Sequence, residues 1–450
     1  MKRFLLIAVT LLMSLSLMAQ ERFVEHRVKW FETLSSISEK YGVSSEDILR
    51  YNNLSEEDVK ARVLLRIPLF ELPSEDVTED EQPEETVEEP QEEEIPNTLF
   101  DADNPLKVSI VLPFGARGDN PSVNYFDFYS GALMALRSAR AAGHPVELSI
   151  FDLRSASFES LTGDPNFAAS NLIIGPPHAS ELEPFAAYSL EHQVALVSPM
   201  DPGAERLLEG NPYMFQVPAS AQTQLTNLVA RLQPTEDEQV LVFYDSSMRE
   251  EALVNQITSA LDSAEVDYRL MGYGLLSGRD LSENLQKELD PEKSYKAIVA
   301  SEDDAFAPDI VRNMRVLKLF AIPVELFCSN RVRNFDSIDS DSFYELSTHV
   351  SAPYYIDYGS DGVQDFVFCY RALFNAEPTP YSFQGFDIVS YFVTTMCSAG
   401  SNFVSTANLY PMDLLQCSIR FDRADEKSGW RNTATRNIVY NEDLTISTEK

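Results

Sequence analysis

The five histidines are the first residues whose chemistry could be catalytic or metal-binding. None of them has a His-Glu-x-x-His spacing or another metal-ligand spacing. The 450-residue chain also lacks a Gly-x-Ser-x-Gly nucleophile elbow and a P-loop, and no nucleophile stands out beside a base. We therefore expect a protein that is not an enzyme and that has no metal and no cofactor. The histidines are His26, His144, His178, His192 and His349.

Binding chemistry is concentrated where predicted strands end. An apolar run ends at residue 174, and a helix is predicted to begin near Ser180. Ligands of parallel sheets bind beyond the carboxyl ends of the strands, where helix N-termini present unpaired backbone donors. We therefore expect a ligand cleft built from several such ends. Its candidate residues are Pro177, His178, Ala179, Ser180, Ser198, Met200, Asp245, Met248, Arg249 and Glu302.

Some of these residues have a second interpretation. His178 either faces a ligand or is a solvated loop residue. Four acidic residues end strands or start helices, so they either bind a cation or favour a helix dipole, and we favour the dipole role. They are Asp201, Asp245, Glu302 and Asp303.

These strand ends belong to a long alternation of β-branched runs and amphipathic helices that starts at residue 107. The pattern predicts an α/β fold, a mainly parallel sheet covered on both faces. The segment 106–450 is too long for one compact lobe, and the run Asn211–Val217 interrupts the alternation, so we expect two lobes. The predicted strands are Val108–Leu112, Val146–Phe151, Leu172–Ile174, Ala195–Ser198, Val240–Tyr244, Tyr268–Gly272, Ala297–Ala300, Val324–Cys328 and His349–Ala352.

Charge excludes some partners and divides the chain. Lys and Arg number 35 against 71 Asp and Glu, so the net charge of −36 has the wrong sign for nucleic acid or anionic lipid. Residues 69–105 carry fifteen acidic groups and no basic group. Such a segment cannot bury enough apolar surface to fold. We predict an acidic disordered linker over 69–105, which joins a small module (22–68) to a large domain (106–450).

The N-terminus resembles a secretory signal. Lys2 and Arg3 precede an apolar run over residues 4–18, which predicts a signal peptide over 1–19 that is cleaved after Ala19. No cysteine follows it as a lipid anchor, and no second run is long enough to span a membrane. We expect a protein of the periplasm or the cell exterior that is not inserted in a membrane. An uncleaved N-terminal anchor is the alternative.

Apolar spacing and the candidate N-caps Thr33 and Ser44 predict that the small module folds as strand, helix, helix and strand, over His26–Trp30, Leu34–Tyr41, Ser45–Asn52 and Val63–Ile67. Its residues resemble the LysM module, and the resemblance implies a βααβ fold that binds N-acetylglucosamine-containing glycans, in bacteria mainly peptidoglycan. The motif residues are Thr33-Leu34, Ile37, Tyr41-Gly42-Val43, Ile48, Asn52-Asn53-Leu54 and Leu65-Arg66-Ile67-Pro68. The glycan groove that the resemblance implies contains Phe31, Glu32, Thr33, Asn52, Asn53, Ala61 and Arg62. Residues 31–33 and 61–63 depart from the usual Gly-Asp-Thr and Pro-Gly-Gln, so a protein-contact module is the alternative.

The large domain resembles the type 1 periplasmic-binding-protein fold, specifically the branched-chain amino-acid receptors, over about residues 107–400. The motifs are Lys107–Phe114, Ile173-Ile174-Gly175-Pro176, Val197-Ser198-Pro199, Asn211–Val217 and Pro378–Phe383 followed by Gly385-Phe386-Asp387. The resemblance implies a doubly wound, two-lobed domain in which a serine and backbone amides hold the carboxylate of an amino acid. Ala179 and Pro202 stand at two of the side-chain donor positions, and Met248-Arg249 replace a covering Tyr-Gly. The family's helix between strands two and three is also missing, since only residues 154–170 are available.

Two functions fit these features. The first is a secreted, non-enzymatic protein that is held at the cell wall by its LysM module and binds a small ligand or wall fragment between its lobes. The second is a scaffold or activator of peptidoglycan synthesis that uses the same fold as a protein-contact surface, as outer-membrane lipoprotein activators of penicillin-binding synthases do. Four cysteines, in two disulfides or as free thiols, receive no function; they are Cys328, Cys369, Cys397 and Cys417.

Overall fold

The computed structural model describes residues 23–28, 34–41, 43–52, 54, 63–68, 99–118 and 120–449. The chain divides into two compact units, Met1–Ile95 and Pro96–Lys450. The predicted signal peptide and residues 69–98 of the predicted linker lie outside the described residues. No helix in the described part of the chain is both long enough and apolar enough to cross a membrane.

The first unit has the predicted order of elements. The elements are β1 (Phe23–Arg27), α1 (Leu34–Tyr41), α2 (Ser45–Asn52) and β2 (Leu64–Pro68). Strand β1 begins three residues earlier than the sequence predicted, and β1 and β2 pair antiparallel. The two helices pack their apolar faces on this pair, where Ile37, Ile48, Leu65 and Ile67 are completely buried.

The second unit contains two seven-stranded sheets, which confirms the two-lobed α/β architecture. The strands of the first sheet are β3 (Leu106–Leu112), β4 (Val146–Asp152), β5 (Leu172–Ile174), β6 (Ala195–Ser198), β7 (Met214–Gln216), β15 (Phe421–Asp422) and β16 (Trp430–Asn432). Those of the second are β8 (Glu238–Asp245), β9 (Tyr268–Tyr273), β10 (Ser294–Val299), β11 (Val324–Ser329), β12 (His349–Ala352), β17 (Arg436–Tyr440) and β18 (Ile446–Glu449). A separate antiparallel pair joins β13 (Met412–Asp413) and β14 (Ser418–Ile419).

Helices cover the sheets and fill the loops between strands. The helices that precede β8 are α3 (Val123–Ala141), α4 (Phe158–Thr162), α5 (Pro165–Ala168), α6 (Ala179–His192) and α7 (Ala221–Ala230). The remaining helices are α8 (Glu251–Ser263), α9 (Leu281–Glu288), α10 (Phe306–Leu319), α11 (Asn330–Arg333), α12 (Ser340–Glu345), α13 (Asp361–Phe374), α14 (Pro380–Ala399) and α15 (Phe403–Thr406). Short 3₁₀ turns lie at Pro202–Leu207, Leu275–Asp280, Gly400–Asn402 and Ala407–Leu409.

The order of strands shows how the chain passes between lobes. The first sheet runs β15-β16-β7-β6-β5-β3-β4 and the second runs β18-β17-β12-β11-β10-β8-β9. The chain therefore crosses three times, after β7, after β12 and after β16. In the first sheet the crossovers use the neighbouring strands β7, β16 and β15, whereas in the second sheet one of them enters at β8, beside the edge strand β9.

Two details differ from the sequence prediction. The run Asn211–Val217 was expected only to interrupt the alternation, but it contains β7, which pairs parallel with β6. Residues 154–170 were expected to lack the family's helix, and two short helices, α4 and α5, occupy them instead. Residues beyond 400 complete both sheets, which extends the fold past the limit that the sequence resemblance covered.

Helices α3 and α14 cross at a pair of glycines. A Cβ on Gly131 would lie 1.8 Å from the carbonyl oxygen of Ser382, and one on Gly385 would lie 1.9 Å from that of Phe128. Only hydrogen at both positions allows the two backbones to approach so closely. Asp127 on α3 also accepts a hydrogen bond from the Thr379 hydroxyl at the start of α14, with 2.8 Å between the oxygens. The crossing fixes the N-terminal ends of the two helices side by side.

Candidate functional site

A cavity of about 760 Å³ lies at the carboxyl ends of the first-lobe strands. Its wall contains three tyrosines and three side-chain amides, together with a serine and several charged or apolar side chains. Five lining residues come from the crossover between β12 and β15, and the others belong to the first lobe; the five are Tyr354, Pro380, Tyr381, Gln384 and Gln416. The lining residues are Ser122, Asn124, Tyr125, Arg154, Pro177, His178, Met200, Asp201, Pro202, Tyr354, Pro380, Tyr381, Gln384 and Gln416.

The N-terminus of α6 points into this cavity, and the chain's own carboxylate occupies it. The backbone N–H of Ala179, the first residue of α6, donates to Asp201 Oδ2 over 2.7 Å. The second oxygen of Asp201 accepts from the N–H of Gly203 over 2.8 Å. A carboxylate is favourable here because the positive end of the helix dipole lies beside it. Asp201 thus has the helix-dipole role that the sequence favoured, and it takes a donor that the resemblance assigns to a ligand.

The floor of the cavity is a hydrogen-bonded set of the protein's own side chains. Gln384 donates through Nε2 to the carbonyl oxygen of Pro199 over 2.9 Å and to the Tyr354 hydroxyl over 3.0 Å. Gln416 can donate to the carbonyl of Pro380 and accept from the backbone N–H of Gln384, at 3.2 Å each. This floor connects the end of β6, the start of α14 and a crossover.

A buried acid and a base hold the loop that carries Gln416. Asp387 is fully buried and accepts backbone N–H bonds from Leu415, Gln416 and Cys417. Burial raises the pKa of Asp387 to about 6, although these N–H groups and Arg436 act in the opposite direction. Arg436 donates to the carbonyls of Leu414 and Cys417 over 2.7 and 2.8 Å. Asp387 therefore binds the backbone N–H groups of the loop, and Arg436 binds its carbonyl groups.

Polar groups at the mouth of the cavity come from the ends of β3 and β4. Asp152 accepts N–H bonds from Gly115, Ala116 and Arg154. Burial acts to raise the pKa of Asp152, but these bonds outweigh it and lower the pKa. The Arg154 guanidinium donates to the carbonyl of Asn120 over 2.9 Å. The loops at this mouth, including the one that carries the cationic side chain of Arg154, are thus held by hydrogen bonds to main-chain groups.

The structure brings together part of the predicted first-lobe set. Pro177, His178 and Met200 line the cavity, and His178 Nε2 lies 3.3 Å from the Tyr125 hydroxyl oxygen. Ala179 contributes its N–H group to the Asp201 carboxylate and not its side chain. Ser180 is exposed and Ser198 is completely buried, so neither lines the cavity.

The predicted second-lobe residues do not join this cavity. Asp245 accepts from the backbone N–H and the hydroxyl of Ser247, 2.9 and 2.6 Å away, and these bonds lower its pKa. Glu302 lies 3.9 Å from Arg331, while Met248 and Arg249 are exposed on the loop before α8. These four residues therefore do not line this cavity with the first-lobe loop, and their assignment to a ligand cleft stays a prediction.

Of the predicted glycan-groove residues, only Asn52 lies within the described part of the chain. Its carboxamide donates to the carbonyl of Arg66 over 2.8 Å and accepts from the N–H of Arg66 over 2.7 Å. This pair of bonds ties α2 to β2, which is a structural role. The other predicted groove residues lie outside the described residues; they are Phe31, Glu32, Thr33, Asn53, Ala61 and Arg62.

Sequence reasoning missed several residues of the cavity. Tyr125, Tyr354, Tyr381, Gln384 and Gln416 were not among its candidates. Tyr381 lies within the motif Pro378–Phe383, Gln384 follows it, and Tyr125 lies in the first turn of α3, so positions in first helical turns offered a usable signal. Tyr354 and Gln416 offered no such signal, because they reach the cavity only through the crossover after β12 and through the loop that Asp387 and Arg436 hold.

All four cysteines are free thiols. Within the described residues, no group of three His, Cys, Asp or Glu is placed to hold a metal.

Comparison with known proteins agrees with both folds. Residues 26–68 match the LysM domain model. A putative branched-chain amino acid ABC transporter from Rhodospirillum rubrum matches with a TM-score of 0.57 at 15% identity, over 77% of this chain and 100% of that one. The larger unit has a two-lobed periplasmic-binding-protein fold. An ABC-type branched-chain amino-acid transporter from Rhodopseudomonas palustris matches similarly, with a TM-score of 0.52 at 13% identity, over 76% and 95% of the chains.

A different kind of protein shares this fold. Full-length LpoA from Haemophilus influenzae matches with a TM-score of 0.50 at 14% identity, over 78% of this chain and 60% of that one. At these identities the likeness concerns the fold. The search against curated proteins found no match.

Proposed function

We propose that this protein is a non-enzymatic binding protein of the cell wall, outside the cytoplasm. Its LysM domain would bind the glycan of peptidoglycan, and its two-lobed domain would bind a small ligand or wall fragment. The LysM match and the binding-protein fold support this role. The signal peptide predicted over 1–19 and the acidic linker predicted over 69–105 complete the proposal, as an export signal and a tether.

The observation that carries the ligand-binding part is the cavity. Its volume of about 760 Å³ lies in the range of small-molecule sites, which is about 300–1,000 Å³. It combines apolar and aromatic surface with a few convergent polar groups, as such sites do. Within the described residues, the side chains of Ser122, Asn124 and Tyr381 make no hydrogen bond to other residues, so these lining groups are open to a ligand.

A thermal shift of the mature chain, residues 20–450, tests this part. Ligand at 100 times its Kd adds about 2.7 kcal/mol to the folded state, which should raise the midpoint by a few degrees. We expect the shift with glycan fragments of the wall and its loss in Tyr381→Ala, which removes an aromatic wall of the cavity. Phe368→Ala is the matched control, because Phe368 is 73% exposed and lies outside the cavity. No shift with any fragment would contradict the cavity as a ligand site.

A second candidate function is a scaffold or activator of peptidoglycan synthesis. One observation favours it: Asp201 takes the α6 donor that an amino-acid receptor would offer to its ligand. The test measures glycan polymerisation by a purified penicillin-binding synthase with and without the mature chain. A rise in rate together with an absent ligand shift would favour the scaffold over the receptor.

A further inference from the structure

Asp201 lies at the corner of the cavity where α6 begins, which we call the α6 corner. Its two carboxylate oxygens accept the backbone N–H groups of Ala179 and Gly203, and it also lines the cavity wall. The anion that a helix N-terminus attracts is therefore already present and is part of the chain.

A ligand carboxylate at this corner would meet two obstacles. The Ala179 N–H would have to exchange the Asp201 carboxylate for the ligand. The two carboxylates would also stand at close range inside a partly enclosed space, where like charges repel strongly. A hydroxyl, an amide N–H or an ammonium group can instead donate to Asp201.

The rest of the wall suits a ligand with many hydroxyl groups. Asn124 and Ser122 present both donors and acceptors, which match hydroxyls because a hydroxyl also does both. Tyr125 and Tyr381 add ring faces that can pack on the apolar face of a sugar ring, with a hydroxyl at the edge of each ring.

We propose that the cavity selects an uncharged, polyhydroxylated ligand such as an amino-sugar unit of a glycan, and that Asp201 is the specificity residue that excludes carboxylates. This inference rests on the proposed ligand-binding function and names its ligand class. Arg154 in the cavity wall has a charge opposite to that of Asp201. Binding of an anionic ligand by Arg154 is the outcome that competes with this proposal.

Hydrogen exchange measured by mass spectrometry on the mature chain locates binding, which matters because the LysM domain also has the chemistry for glycans. The probes are the N-acetylglucosamine disaccharide, L-leucine and acetate, each at millimolar concentration. We expect the disaccharide to protect peptides that cover 175–182 and 378–386 in the wild type, and we expect leucine and acetate to protect neither.

Two variants make the Asp201 role testable. Asp201→Ala frees the Ala179 N–H and removes the charge, so the affinity for acetate at 175–182 should rise at least about tenfold. Asp201→Asn removes the charge but keeps an acceptor, so its gain should be smaller, and it also serves as the variant that preserves side-chain shape. If leucine or acetate protects the wild-type cavity as well as the disaccharide does, the inference is overturned. If no probe of any class protects the cavity, the proposed ligand-binding function fails instead.

Discussion

The crossing of α3 and α14 predicts a large effect from a single methyl group. In Gly385→Ala the new Cβ would lie 1.9 Å from the carbonyl oxygen of Phe128 and 2.7 Å from its carbonyl carbon. Both atoms belong to the backbone, so no side-chain rotation relieves the clash and the helices must separate. Overpacking of this kind costs about 1–3 kcal/mol and occasionally more.

An opposing effect reduces the net loss. Alanine is better than glycine inside a helix by about 1 kcal/mol. Because the clash is backbone against backbone, we place its cost at or beyond the upper end of the range and expect a net loss of about 2 kcal/mol. A loss of this size should lower the thermal midpoint of the large domain by about 3 °C, because the entropy of unfolding grows with domain size.

The assay is a thermal melt of the full chain beside a matched variant. Gly163→Ala is the control, because Gly163 has φ of −81° and its added Cβ would lie 3.6 Å from the nearest atom. That change should be neutral or stabilise by up to about 1 kcal/mol. Gly131→Ala meets the same crossing, so the double variant should lose less than the sum of the two single losses. A Gly385→Ala protein as stable as the control would refute the close-packing argument.

Two further predictions concern the loop held by Asp387 and Arg436, and the LysM domain. Because the pKa of Asp387 is raised to about 6, its carboxyl is protonated in the native state and ionised in the unfolded chain between about pH 4 and 6. The stability of wild type relative to Asp387→Asn should fall by about 3 kcal/mol between pH 4 and 6 and level off above that, in urea melts; a flat difference would contradict this. Asn52→Ala should weaken the LysM domain by about 0.5–1.5 kcal/mol, because it removes two hydrogen bonds to the exposed backbone of Arg66, whose groups water can then bind. Exchange of the 64–68 amides should accelerate, and unchanged exchange would contradict the role of this pair of bonds.

Local patterns predicted the elements, and the resemblance of motif residues to known families predicted both folds. The helices Leu34–Tyr41 and Ser45–Asn52 have the bounds that caps and apolar spacing indicated. The β-branched runs that predicted Leu172–Ile174 and Ala195–Ser198 also have the predicted bounds. These signals depend on residues that are only a few positions apart, so they can be recognised in the sequence before the fold is known.

The sequence determined that the chain carries a LysM domain, a two-lobed α/β domain and loops at strand ends that are candidates for a ligand site. Only the tertiary structure decided which of those loops meet. Asp201 caps α6 across 22 residues of sequence, and Tyr354 enters the cavity from a crossover. The three-residue strand β7 is a strand because β6 and β16 pair with it on both sides. The physical reason is that a hydrogen bond depends on distance and direction in space, and residue order constrains these only between near neighbours.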